Sequence, residues 1–213
     1  VGATAIAAMA PSFFRPSDVD ELIGYCAAVA SHAPRLPFYY YDIPSMTGVH
    51  VPAAELLERG LEKIPTLTGV KYTNPDLQGL QACVAARNGR FNVLFGFDEM
   101  LLDALQLGAH GGVGGSYGVA PALYKSLFSA QQTGDVELAR RVQERCTQLV
   151  RQLAGLGVVR AGKAAMKLLG IDCGQVRLPL CPLSDAETAT LRQALEAAEL
   201  LGSLPKSLRR VLQ

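Results

Sequence analysis

The chain has 213 residues, 49% hydrophobic and 18% charged, a balance that fits a globular protein with one large core and excludes a disordered or fibrous chain. Twenty basic against nineteen acidic residues leave a net charge of +1 with no long run of either sign, which excludes a nucleic-acid stripe and a polybasic membrane anchor. Five cysteines (Cys26, Cys83, Cys146, Cys173, Cys181), widely spaced and without a C-x-x-C pair, argue against a disulfide framework and a zinc site and for a reducing, cytoplasmic setting.

The opening "VGATAIAAMAP" lacks a basic leader and falls short of the roughly twenty apolar residues that span a bilayer. It enters a strand pattern directly at Val1, without cap or turn, as expected of a piece cut from something longer. Strand patterns cover residues 3–10, 37–41, 66–72, 91–95 and 109–113. Between them, Ser17 followed by Asp20 predicts a helix start running to about residue 31, and "PAAELLERGLEKI" and "DEMLLDALQLGA" carry helical spacing. Strand followed by helix, five times, predicts right-handed βαβ units and a parallel sheet, and strands without clean polar alternation predict that both faces are covered. Beyond Pro121 only helices are expected: "PALYKSLFSAQQTGD" ending at Gly134, a restart at Asp135, and a capping box of Ser184 and Glu187 opening "SDAETATLRQALEAAELLG". A doubly wound sheet and part of a (β/α)8 barrel both fit this order.

In either architecture chemistry belongs at the carboxyl ends of the strands, where Tyr41, Asp42, Lys71, Thr73, Asp98 and Glu99 gather. Lys71 ends the strand in "LTGVKYTN". Gly69, Lys71 and Thr73 share a face, and Gly69 leaves room beside the amine. A strand-end lysine usually snorkels to solvent. A desolvated one is instead a neutral nucleophile suited to a carbonyl carbon, giving a Schiff base. Tyr41, in "PFYYYDIP", is core filler on one reading and a proton shuttle for that lysine on the other. "GFDE" (Gly96 to Glu99) is either a helix start or a holder of substrate hydroxyls. "GAHGGVGGSYG" is tight backbone packing, with phosphate binding a lesser alternative since no Lys or Arg follows closely. His32, His50 and His110 have no acid or cysteine at ligand spacing, so no metal is expected.

"YYYDIPSMTG", "GVKYTN", "GFDE" and "GAHGGVGGSY", in that order, resemble the N-acetylneuraminate lyase branch of the dihydrodipicolinate synthase/N-acetylneuraminate lyase class I aldolases, along essentially the whole chain. The resemblance implies a (β/α)8 TIM barrel with C-terminal helices. Five of its eight strands would lie here: residues 1–120 a partial barrel, and 121–213 the last barrel helix and a helical extension. It implies reversible cleavage of N-acetylneuraminate (sialic acid) to pyruvate and N-acetylmannosamine, a covalent Schiff base on lysine with no cofactor or metal, and a homotetramer. Carried over by position, Lys71 is the Schiff-base lysine, Tyr41 the proton shuttle, Thr73 a substrate contact, and Gly96, Asp98 and Glu99 the group that holds the hydroxyl chain. Met46 stands where the synthases have a carboxylate-binding arginine and the lyase branch an apolar residue. Gly115 replaces the serine that meets substrate, and Ser116 compensates only if the backbone shifts. The first barrel strands, with the glycine-threonine-rich turn that holds the substrate carboxylate, are missing from the match. Two alternatives follow: an aldolase for another 2-keto-3-deoxy sugar acid, or a non-catalytic truncated form that acts through oligomerisation.

Overall fold

Five short strands, β1 (Ile6–Met9), β2 (Phe38–Asp42), β3 (Leu67–Tyr72), β4 (Asn92–Phe95) and β5 (Gly111–Gly112), pair in chain order and all in parallel. In this computed structural model, which describes residues 2–201, the described part falls into two units that divide between Val113 and Gly114. Val1 and residues 202–213, including Gly202 at the end of the last predicted helix, lie outside the described residues.

The first unit alternates the strands with α1 (Val19–Ser31), a single turn α2 (Pro44–Thr47), α3 (Ala53–Arg59), α4 (Leu77–Gly89) and α5 (Leu101–Gln106). This parallel α/β order is the expected succession of strand and helix, and parallel pairing requires such crossovers. Leu22, Cys26, Phe38, Tyr40, Leu56, Val70, Tyr72, Leu80, Val93 and Phe95 make the shared core of the sheet and its helices.

One expectation is corrected. The strands alternate after all: Phe38, Tyr40 and Asp42 of β2 are buried while Tyr39 and Tyr41 are half-exposed, and Val93 and Phe95 of β4 are buried while Asn92 and Leu94 are not. The helices of this unit pack on the buried face, and the other face is only half-buried.

Strand β3 breaks its own alternation. Phe38 pairs with Leu67, but Tyr39 pairs with Gly69, so Thr68 is an extra residue opposite β2. Such an irregularity shifts the pleat by one. It lets Leu67, Val70 and Tyr72 all reach the core.

Helix starts follow local chemistry. Asp18, rather than Ser17, caps α1 by accepting the Glu21 N–H at 2.9 Å; Ser17 donates back to the Glu21 carboxylate through its N–H and hydroxyl. Asp76 caps α4 through the Gln78 N–H.

In the second unit α6 (Pro121–Thr133) packs on α7 (Val136–Gly155), and α7 and α8 (Val158–Leu168) both pack on α9 (Asp185–Ala197). Gly134 closes α6 at φ +74°, a left-handed cap that needs no Cβ. Asp135 caps α7 and the Ser184–Glu187 capping box opens α9, each as its sequence predicts.

Candidate active site

The half-exposed face of β2 and β3 gathers the predicted residues. Parallel pairing sets Tyr39 beside Gly69 and Tyr41 beside Lys71, and Lys71 has Leu94 on its other side. Residues two apart on a strand share a face, so Tyr41, Lys71 and Leu94 form one row across three strands. Lys71 Nζ lies 3.8 Å from the centre of the Tyr41 ring, close enough for cation–π attraction to hold the long side chain in place.

Beneath that row, Tyr39 donates its hydroxyl to Asn92 Oδ1 at 3.2 Å. A Cβ on Gly69 would stand 1.9 Å from the Asn92 carbonyl oxygen and 2.8 Å from the Tyr39 ring. Gly69 is therefore required by a close approach of backbone and ring, and the room expected beside the amine is already filled. Sequence reasoning missed Asn92, whose signal is an amide in phase with the interior face of an otherwise apolar strand.

Thr73 follows directly. Its N–H donates to the Asp42 carbonyl at 2.8 Å, which extends the pairing of β2 and β3 by one residue. Its Oγ1 is buried with no hydrogen-bond partner among the described residues. A buried hydroxyl of this kind is uncommon in native structures and marks a place where a ligand can bond. Gly96 makes that placement possible, because a Cβ there would meet Thr73 Oγ1 at 1.9 Å. Asp98 is buried and begins a 3-10 turn, Asp98–Met100, with Glu99 half-exposed beside it.

Asp42 does not join this group. It shares the outer face of β2 with Tyr40, and its carboxylate accepts from Asn74 Nδ2 at 3.5 Å, in the wall of a cavity of about 360 Å³ that His50, Tyr72 and Asp76 also line. Burial pushes the Asp42 carboxyl up to about 6, with hydrogen bonds from Asn74 and Tyr40 and the nearby His50 pulling it back. On the same side burial pushes the Cys26 and Cys83 thiols up to about 12, so neither is a nucleophile at neutral pH.

Met46 is 74% exposed on α2. Gly115 belongs to the second unit, where a Cβ would come within 3.1 Å of Val158. In that unit Ser116 is buried with its hydroxyl 2.5 Å from that of Tyr124, which occupies it. Among the described residues no cluster of His, Cys, Asp and Glu has the makings of a metal site, and no helix is long and apolar enough to cross a membrane.

The chain matches the dihydrodipicolinate synthetase family over residues 1–198. It is 40% identical to N-acetylneuraminate lyase of Gallus gallus over 200 residues, covering 92% of this chain and 65% of that protein, and 40% identical to the Mus musculus enzyme over 206 residues, 95% and 64% respectively. It therefore spans about 65% of the length of these curated relatives. Among solved structures, N-acetylneuraminate lyase from Aliivibrio salmonicida superposes with a TM-score of 0.90 at 38% identity, covering 94% of this chain and 67% of that one. The parallel sheet with its helices is part of that TIM-barrel fold. Enzymes of this kind are class I aldolases that use a lysine Schiff base and no external cofactor. By this match over nearly all of its length, the chain belongs to the dihydrodipicolinate synthetase family.

Proposed function

We propose that this chain carries Schiff-base aldolase chemistry directed at N-acetylneuraminate, cleaving it reversibly to pyruvate and N-acetylmannosamine in the cytoplasm. The observation that carries the reading is the pairing of Lys71 with Tyr41 on the half-exposed sheet face. Lys71 Nζ, deprotonated, adds to the C2 ketone carbon, and loss of water leaves an iminium. Tyr41 then relays the C4 hydroxyl proton toward C3 while the C3–C4 bond breaks to leave N-acetylmannosamine as the aldehyde and its electron pair moves into the C2–C3 bond, with the iminium nitrogen as sink. Protonation at C3 and hydrolysis release pyruvate and return the free lysine.

Thr73 Oγ1, buried without a partner, is suited to a substrate oxygen, and Asp98 and Glu99 to the hydroxyl chain. Gly96 serves by admitting Thr73. Gly115 is assigned to the substrate site on family position alone. An exposed apolar residue at Met46 supports a substrate without a second carboxylate to be held there. The homo-oligomer proposed with this function is supported by the Phe13–Phe14 pair, 86% and 84% exposed on the loop after β1, since bare aromatic surface of this kind favours association.

Incubation with pyruvate and borohydride tests the reading. A reduced adduct that maps to Lys71 is expected, and an unmodified Lys71 overturns it. Cleavage rates on N-acetylneuraminate and on another 2-keto-3-deoxy sugar acid separate the two aldolase readings.

A further inference from the structure

The helical unit holds a cavity of about 700 Å³ formed by α8, α9 and the irregular chain that joins them. Four cationic side chains line it, Arg160, Lys163 and Lys167 from α8 and Arg192 from α9, against the carboxylates of Asp172 and Asp185. Part of this charge is already matched. Lys163 Nζ donates to the carbonyls of Cys173 and Gln175 at 2.8 and 2.9 Å, and Lys167 faces Asp172 at 3.5 Å. Arg160 Nη2 meets the Glu187 carboxylate and the Pro182 carbonyl, each at 3.1 Å.

Two donors are left over. Arg160 Nε is buried with no hydrogen-bond partner among the described residues. Arg192, exposed at the cavity wall, forms no hydrogen bond or ion pair among them, so only Arg160 carries the cost of burial. A charged donor buried without an acceptor is a costly arrangement, and native structures relieve it with a partner, a water or a ligand. Counting Glu187 with the two lining acids, cations still outnumber carboxylates here by four to three. A guanidinium presents its donors as a planar fork that fits a carboxylate or a phosphate.

We propose that this cavity binds a small hydroxylated molecule bearing one oxyanion, a carboxylate or a phosphate, with Arg160 and Arg192 on the oxyanion. The volume lies in the range of ligand pockets and exceeds what a bare phosphate fills. The Thr188 hydroxyl, the Gln175 amide and the Asp185 carboxylate line the same cavity and suit the hydroxyls of such a molecule. The site does not depend on the chemistry proposed for Lys71.

Amide-shift titration of the isotope-labelled full chain tests it, with gluconate and glycerol 3-phosphate as the carboxylate and phosphate probes and inorganic phosphate as the third arm. Neither organic probe has a ketone for Lys71 to attack. Saturable shifts on α8 and α9 are expected with at least one organic probe, at higher affinity than inorganic phosphate. Arg192→Gln weakens this binding about tenfold, the loss of one charge-assisted contact, without lowering the melting temperature, and Lys71→Ala leaves it unchanged. No saturable shift, binding of inorganic phosphate alone, equal affinity in Arg192→Gln, or loss in Lys71→Ala would each overturn the assignment.

Discussion

Tyr39, Tyr41 and Lys71 lie on one face of β2 and β3, and Tyr40, Asp42 and Tyr72 on the other, within two short stretches of chain. The outer set is buried beneath helices, and there burial moves Asp42, Tyr40 and Tyr72 away from their ordinary ionisation. The inner set is only half-buried and keeps contact with solvent. Residues adjacent in sequence thus meet different surroundings: Tyr41 is on the side where we propose the chemistry, and Phe38, Tyr40 and Asp42 are on the side that packs the fold. The comparison makes stability and activity separable by single substitutions, and it orders their effects.

Lys71→Ala is expected to abolish the pyruvate adduct entirely, read by mass spectrometry, while shifting stability by less than about 1 kcal/mol because the side chain is only half-buried. A cooperative loss of folding in this variant would break the comparison. Tyr41→Phe should keep the adduct but lower pyruvate release from N-acetylneuraminate by about 10²–10⁴, the contribution of a positioned proton-transfer group. On the opposite face Phe95→Ala is expected to cost about 3–5 kcal/mol in denaturant unfolding, as for other fully buried aromatics, with Lys71 in the remaining folded fraction still forming its adduct.

Asp42 sharpens the contrast through pH. Its carboxyl ionises near 6 when folded, against 3.8 as its ordinary value. The raised value makes its stabilising contribution complete below about pH 3.8 and lost as pH rises through 6, a change on the order of 2–3 kcal/mol. Asp42→Asn should therefore flatten stability between pH 4 and pH 7, measured by urea midpoints; an unaltered slope would show that the buried carboxyl does not govern it. The smallest effect is expected at the exposed Glu137–Arg141 pair on α7, where Glu137→Ala should cost no more than about 0.5 kcal/mol.

Much of this was legible in the sequence because local rules and tertiary structure agree. All five strands, the left-handed stop at Gly134 and the Ser184–Glu187 box lie where turn and cap chemistry place them. Helix α4 was not, since its apolar residues do not form a clean stripe and Arg87 and Asn88 break it with positive φ. Helix α8 was hidden behind Gly157, which ends one pattern and opens the next. In the site, the shared face of Lys71 and Thr73 follows from period two, and the ordered motifs supplied Tyr41 as partner. The facing of Asp42, the crowding around Gly69 and the engagement of Ser116 by Tyr124 depend on neighbours far along the chain or on packing that no local pattern encodes.

The extra residue at Thr68 has a consequence for how this lineage tolerates insertions and deletions. Leu67 is anchored in the core. With strict alternation from Leu67 through Thr68, positions 69 and 71 would follow it inward, and the amine of Lys71 would be driven among the helices while Val70 turned to the half-exposed face. Thr68 acts as a frame-shifting residue that resets the phase of the strand. Deleting it would leave a regular strand in which Gly69 and Lys71 keep their present face, whereas one residue more or fewer anywhere between Gly69 and Lys71 would turn the lysine the wrong way.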